Sequence, residues 1–579
     1  MASADAPALG TGSKDTSFFG HPRGLAILFF TEMWERFSYY GMRGLLILYL
    51  TQHFLFSDER SALIYGAYVS LVYVMAIFGG SLADKYLGQR KAVTFGAILL
   101  VMGHFGMAFE GSGSKETMVV DGQEYQLTLI GRGGDAISIV KSANGQSEIS
   151  FNDDASQMLI ADPAAVGLPA MVATDSYETT TTREPLYVGI LYLSLALIIA
   201  GVGFLKANIS TIVGDLYGMG DARRDSGFTI FYMGINLGSF LASWSCGILG
   251  IVYGWNYGFG LAGVGMLFGL LIFLRYQPWL EGRAEPPDPA KLKEKVFGPI
   301  NVEWACYSSA LLIMAVAITL IMHPEPAAML MAATGVLMFV FLIGYSFIKV
   351  KGKERSRMWA AIYFALAQIP FWSLFEQAGS SLTLFTDRLV DRTMGGWSVP
   401  APVFQSLNAG FIFIFAPIIA WLWIWMAKKK IEPSTPVKFS IGVLFVALGF
   451  LVLVAGMKTT GASALTPVIF IFLIYWVHTM GELLLSPVGL SAMTKLAPPQ
   501  AAGLMMGTWF LYSGLSNSLS GVIASSTGAE TIGGKIINAA AAKATYVEVY
   551  TNVALVAGGA AVFMFVISPL IKKWMHEAE

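Results

Sequence analysis

The amino-acid sequence predicts an all-α membrane protein with one small β-rich insert, and three observations predict it. The chain of 579 residues is 55% hydrophobic and 13% charged, with a mean hydropathy of +0.61; a soluble domain carries nearer 25% charged residues. Apolar segments of about 17–25 residues, enough to cross a bilayer, recur along the whole chain. One long polar stretch, 111–185, interrupts them.

The apolar segments fall near 25–54, 61–83, 91–109, 186–213, 227–252, 256–278, 302–322, 326–348, 358–388, 402–427, 437–456, 466–493, 502–526 and 547–572, about fourteen by length. An even number puts both termini on one side. Basic residues orient the chain. Lys85, Arg90 and Lys91 follow the second span, Arg223 and Arg224 the fourth, and Arg283, Lys291, Lys293 and Lys295 the sixth. Lys349, Lys351, Lys353, Arg355 and Arg357 follow the eighth, and Lys428, Lys429, Lys430 and Lys438 the tenth. These loops share one side, read as cytoplasmic. The polar segment 1–24 carries no cleavable signal pattern and is read as a cytoplasmic tail. A multi-pass protein of the plasma (inner) membrane, in contact with the lipid bilayer, is expected.

The polar stretch 111–185 carries two hairpin signals. Asp121-Gly122 lies between strand-like runs in Val119–Tyr125, and Asn144-Gly145 is flanked by Ile137–Val140 and Ile149–Phe151. Topology places this β-rich cap on the outside, where a tolerated loop insertion is its plainest account.

The first span is the most informative. Glu32, Glu35, Arg36 and Arg43 interrupt it within about three turns, and each charge at the centre of a spanning helix costs roughly 2.5–3.5 kcal/mol. With Tyr39 and Tyr40 they follow i, i+3, i+4 spacing and share one stripe. Lipid cannot solvate that stripe, so it faces protein or a watery cavity, and a transport pathway is the reading.

Other classes are disfavoured. The net charge of −1 gives no electrostatic case for nucleic acid. Cys246 and Cys306 lie in apolar stretches as packed residues. His21, His53, His104, His323, His478 and His576 show no metal-ligand spacing, and no nucleophile–base motif stands out. No metal, no cofactor and no enzymatic activity are expected. His478, one turn from Glu482, is read as a hydrogen-bonded packing residue.

The loop Gly79-Gly80-Ser81-Leu82-Ala83-Asp84-Lys85-Tyr86-Leu87-Gly88-Gln89-Arg90-Lys91 resembles the signature loop of the major facilitator superfamily, in which Asp84 and Arg90 would latch one conformation. Glu32-Met33-Trp34-Glu35-Arg36-Phe37-Ser38-Tyr39-Tyr40 resembles the first-helix motif of the proton-coupled oligopeptide transporters, the POT family, in its bacterial form. Phe231–Ser239, Phe375–Leu382 and Gly481–Leu490 resemble the family's fifth-, seventh- and tenth-helix motifs, in the expected order. The resemblance implies the major facilitator fold: six-helix bundles over 25–280 and 351–579, with two extra helices in a linker at 281–350. Two departures stand out. The fourth helix reads Lys206-Ala207-Asn208 where the family usually has proline after the lysine, and Gly66 stands where mammalian members carry histidine, which shifts proton coupling onto carboxylates.

The resemblance implies alternating-access symport of di- and tripeptides with protons by a monomer. It assigns the peptide carboxylate to Arg36 and Lys206 and the peptide amine to Glu482 and Asn408. Charge logic reaches the same polarity, because the termini and backbone are the constant parts of a short peptide. An extended residue advances about 3.3–3.6 Å, so a fixed clamp separation of roughly 7–10 Å would select two or three residues. Tyr39, Tyr40, Tyr73, Trp372, Trp509 and Ser486 are the expected side-chain pockets. Glu32, Glu35, Arg36 and Glu376 are the expected proton-coupling groups, with Glu32 and Glu35 both open as main carrier. Arg43–Glu376 is the expected outer gate pair and Lys206–Glu482 the inner. Two other readings stay open: the same fold carrying nitrate, an amino acid or a peptide-like drug, and a non-transporting peptide sensor.

Overall fold

The computed structural model describes residues 12–131, 136–218 and 220–576. Helices dominate. α1 (Arg23–Gln52), α2 (Asp58–Leu82) and α3 (Gln89–Met107) precede a β-sheet insert that contains one short helix, α4 (Pro163–Val166). α5 (Pro185–Asp215), α6 (Arg224–Ile248) and α7 (Trp255–Tyr276) follow, then α8 (Val302–Met322) and α9 (Pro324–Lys349). α10 (Gly352–Phe375), α11 (Ser381–Leu389), α12 (Ser406–Lys428), α13 (Thr435–Lys458), α14 (Ile469–Leu496), α15 (Ala502–Ser525) and α16 (Ala539–Met575) complete the chain. With α10 and α11 counted as one broken span, each of the fourteen expected segments has its helix. Eleven helices among the described residues are long and apolar enough to cross a membrane by length and composition.

The broken span differs from the continuous segment expected at 358–388. A 3₁₀ turn, Glu376–Gly379, separates α10 from α11. Gly379 is the reason such a turn fits: the hydroxyl of Tyr65 occupies the space a side chain would take. In contrast, α5 passes through Lys206-Ala207-Asn208 without interruption, and Asn208 Nδ2 donates to the Phe204 carbonyl at 2.7 Å.

Two apolar cores organise the helices. The first joins residues of α1–α3 and α5–α7, including Leu46, Tyr68, Leu195, Phe259 and Phe273. The second joins α10–α16, including Phe364, Phe371, Phe439, Phe450 and Tyr550. Helices α8 and α9 bury few of their side chains, as lipid-facing helices do; Ala317 and Ile321 pack on the first core and Leu342 on the second.

The insert is a seven-stranded antiparallel sheet. β1 (Lys115–Val120), β2 (Gln123–Ile130), β3 (Ile137–Lys141), β4 (Gln146–Phe151), β5 (Gln157–Ile160), β6 (Met171–Ala173) and β7 (Glu178–Thr182) stand in the order β6-β5-β4-β3-β2-β1-β7. Met118, Tyr125, Leu127, Val140 and Met158 form its core. Asp121 and Gly122 adopt φ of 49° and 77°, the twist a two-residue hairpin requires. Asn144-Gly145 lies in a four-residue loop, 142–145, closed by Ser142 N–H donating to Gly145 O at 2.8 Å, so this hairpin uses a longer turn.

Along α2 and α15, the two bundles meet most closely toward the insert. A methyl on Gly66 of α2 would lie 2.7 Å from Gly521 Cα of α15, and one on Gly514 would lie 3.0 Å from Val74. Farther along, Gly507 would reach Ile77 only at 3.9 Å, and Gly503 meets nothing within 4 Å. The two helices therefore diverge away from the insert, toward the side that holds Ser13 and His576. Gly79 packs instead within the first bundle, against the Gly203 carbonyl of α5. Gly79→Ala should destabilise the protein by about 1–3 kcal/mol through overpacking, whereas Gly503→Ala should leave stability unchanged or slightly higher. Thermal melts of the detergent-purified variants check both.

Candidate functional site

Helix α1 supplies the densest charge. Glu32, Glu35, Arg36, Tyr39 and Arg43 are buried and Tyr40 is half-buried, so the stripe faces protein. Arg36 lies between two carboxylates: Nε stands 3.1 Å from Glu32 Oε1 and contacts Glu35 Oε2 directly. These are charge pairs at angles that do not make hydrogen bonds. Arg36 Nη2, Glu32 Oε2 and Glu35 Oε1 have no hydrogen-bond partner among the described residues. A buried polar atom left so costs about 1–3 kcal/mol, more when charged. A ligand bearing a matching donor or acceptor therefore gains there. The Arg36 guanidinium also lies 5.3 Å from the Tyr39 ring centre.

Lys206 of α5 completes the cationic wall. Its Nζ sits 4.0 Å from the centre of the Tyr73 ring, a cation–π contact. Arg36, Glu35, Glu32 and Glu376 are its electrostatic neighbours. Across from this wall, Glu482 of α14 is buried, and its Oε2 accepts from Asn408 Nδ2 of α12 at 2.7 Å. Asn408 Nδ2 also donates to Thr479 Oγ1 at 3.1 Å. Tyr40 lies within electrostatic reach of both walls, feeling Arg43 and Arg36 on one and Glu376 and Glu482 on the other. Arg36 and Lys206 thus belong to one bundle, and Glu482 with Asn408 to the other.

The insert side of the site is shut by polar contacts between the bundles. Arg43 Nη2 donates to Glu376 Oε2 in a buried pair, and Arg43 Nε donates to Tyr65 Oη at 2.6 Å. Nearer the insert, Arg388 clasps Asp58 with both nitrogens, Nη1 to Oδ2 at 2.5 Å and Nη2 to Oδ1 at 2.9 Å. Gln52 Nε2 donates to Asp387 Oδ2 at 2.9 Å. Lys206 and Glu482, expected as the opposite gate, are not paired with each other: one faces Tyr73, the other Asn408.

The remaining expected residues divide. Trp372 packs edge-on against Phe371 and Phe375, and Trp509 is buried against Gly489; Ser486 is half-buried on α14. Asp84 and Arg90 do not pair. Asp84 accepts from Gln89, while Arg90 pairs with Glu285 at 2.6 Å and donates to Gln277 at 3.0 Å. The reason is local: Gly88, at φ of 70°, ends the turn after α2 and aims Arg90 at the segment following α7, where its backbone N–H meets the Ala284 carbonyl. His478 Nε2 donates to the Val446 carbonyl at 3.1 Å, and the ring packs on Gly449.

Sequence reasoning missed Tyr65, Asp58, Arg388, Thr479 and Glu285. Tyr65 adjoins Gly66, whose departure from the mammalian pattern was visible. Asp58 and Arg388 sit at helix ends, where charges are ordinary and carry no signal.

Comparison with known proteins is consistent across the whole chain. A profile of the POT family matches residues 90–539. The uncharacterized transporter YclF of Bacillus subtilis is 34% identical over 90% of this chain and 92% of its own. The peptide transporter YePEPT of Yersinia enterocolitica is 34% identical over 88% of each. A crystal structure of a peptide transporter POT variant with alafosfalin is 30% identical with a TM-score of 0.73, covering 97% of this chain and 100% of the other. A POT family transporter with 5-aminolevulinic acid is 27% identical with a TM-score of 0.72, over 97% and 99% of the two chains. Charged stripe, paired walls, shared architecture and sequence agreement over most of the length converge, and the chain belongs to the POT family.

Proposed function

We propose that this protein carries di- and tripeptides into the cell together with protons, by alternating access, as a monomer and without catalysing a reaction. The observation that supports it most is the placement of opposite anchors on opposite bundles: Arg36 and Lys206 on one, Glu482 held by Asn408 on the other. A peptide carboxylate suits a planar guanidinium, and its ammonium suits a carboxylate with an adjoining amide oxygen. Both anchors together favour a zwitterion over a simple anion such as nitrate. A relative crystallised with 5-aminolevulinic acid, an amine and a carboxylate in one small molecule, agrees.

The terminal side, with its basic loops, is the cytoplasmic side in this reading, and the insert lies outside. The conformation is then closed outward and open inward. The reciprocal state of the two gate pairs supports this: Arg43 and Glu376 are together, Lys206 and Glu482 apart. A carboxylate that loses its cation in a poorly solvated interior binds a proton more readily. Outward opening separates Arg43 from Glu376, exposes the carboxylates to protons and frees cations for the peptide carboxylate. Closure restores the pair. Inside, proton and peptide leave, and Lys206 and Glu482 reset each other.

One proton moving down 100 mV supplies about 2.3 kcal/mol, a concentration ratio of roughly 50-fold at 1.4 kcal/mol per decade. In liposomes with an imposed pH gradient, dialanine and trialanine should accumulate while alanine and tetraalanine should not. Uptake indifferent to both the gradient and an uncoupler would refute the coupling. Glu376→Gln should abolish gradient-driven accumulation and retain peptide exchange between the two sides, measured in the same liposomes.

A further inference from the structure

We infer that Thr479 is a positioning residue that fixes which atom Asn408 presents to the substrate amine; this rests on the proposed peptide reading. Thr479 is fully buried, and its Oγ1 donates to the Tyr475 carbonyl at 2.7 Å. Its only hydrogen is spent there, so Oγ1 can only accept from Asn408. An ionised Glu482 is likewise acceptor-only. Both partners therefore require the Asn408 nitrogen, and the structure has Nδ2 donating to each, at 3.1 and 2.7 Å. Both amide hydrogens are consumed. Oδ1 accepts no hydrogen bond among the described residues, and it joins the Glu482 carboxylate as an acceptor. An ammonium has three donors and no acceptor. With the amide reversed, Asn408 would point two donors at a positive charge.

The test measures binding of dialanine and N-acetyl-dialanine to purified Thr479→Val, Thr479→Ser and Glu482→Gln proteins. Valine keeps the volume and removes the acceptor. Thr479→Val should weaken dialanine about five- to tenfold, the scale of one hydrogen bond to a charged network, with N-acetyl-dialanine unchanged, and Thr479→Ser should restore wild-type affinity. Equal weakening of both ligands by Thr479→Val, or no weakening, would overturn the inference. Glu482→Gln separates the two failures. If it leaves the free-amine preference intact, the amine clamp itself is wrong. If it removes the preference while Thr479→Val does not, only the positioning role is wrong.

A second inference comes from a different part of the molecule. We propose that the β-sheet insert is a clasp that holds the two bundles together on its side of the membrane. It is tied to the first bundle beyond its chain connections: Ser114 N–H donates to the His53 carbonyl at 2.9 Å, and Arg183 donates to the carbonyls of Phe54 and Leu55 at 2.7 and 2.5 Å. It is tied to the second bundle through the 531–536 hairpin between α15 and α16. Ile532 is buried in the sheet's own core, with Ile537 packed beside it. Gly533 N–H donates to the buried Glu116 Oε2 at 2.5 Å, and Lys535 Nζ donates to the Ala136 carbonyl at 3.2 Å. Separating the bundles on this side draws an isoleucine out of the sheet core and strips a buried carboxylate of its donor. The clasp acts in parallel with the Arg388–Asp58 and Arg43–Glu376 pairs.

Spin labels on cysteines at Glu59 and Asp391, on the insert-side ends of the two bundles, read the separation in full-length protein. Ile532→Asp should raise the separated population about tenfold, the scale of exposing one buried isoleucine, and Glu116→Ala should raise it less. A distance distribution unchanged in both variants would overturn the proposal. A loss of the short distance in Ile532→Asp with melting of the whole protein is distinguished by Glu116→Ala, which leaves every core side chain in place and must still shift the population.

Discussion

Everything in this fold is subordinate to one constraint: a charge buried among membrane helices must have a partner. Lipid offers none, and an unpaired ion there would be neutralised or expelled. The buried Arg43–Glu376 pair satisfies the constraint by linking residues of opposite bundles. A pair of that kind cannot be broken without leaving two unsatisfied charges, so the bundles have a strong reason to stay closed where it forms. They also have a reason to open only when something else supplies the missing charge.

The glycine ladder between α2 and α15 gives that electrostatic device its mechanical form. Backbones touch at Gly66 and Gly521 and have lost contact by Gly503. Each bundle has its own packed core, and close-packed interiors transmit displacement rather than absorb it, so in the alternating access we propose the bundles move as units and the tight end is the one that parts for outward opening. In the cycle we propose, the same rigidity makes the two gate pairs alternate. While Arg43 pairs with Glu376, Lys206 and Glu482 are not paired with each other, and each has another partner, the Tyr73 ring and the Asn408 amide.

Much of this was legible in the chain itself. The spans could be read because bilayer thickness sets a length, and the α1 stripe because a charge in an apolar run has no bland explanation. The Arg43–Glu376 pair was reachable through motif resemblance, since nothing local in either residue points to the other, 333 positions away. What stayed hidden were contacts made by common residues at ordinary places. Arg388 and Asp58 look like helix-end charges, Thr479 like one more helix hydroxyl, and Glu285 like loop polarity. The insert's hairpins showed in Asp121-Gly122 and Asn144-Gly145, but its grip on the 531–536 hairpin did not. That grip depends on a strand from one bundle and a turn from the other meeting in space.

The inventory of charge at the site carries an implication of its own. Glu32, Glu35 and Glu376 lie among Arg36, Arg43 and Lys206, and Glu482 joins them through Glu376, so the set counts four carboxylates against three cations. With every group ionised the site is one positive charge short. A zwitterionic peptide cannot repair that, because it brings one charge of each sign. A proton can, and a single one suffices. The poorly solvated interior penalises the uncompensated charge in every conformation that excludes water. In the symport we propose, the peptide redistributes partners among the seven charged groups, and a proton brings their sum to zero while the bundles change places.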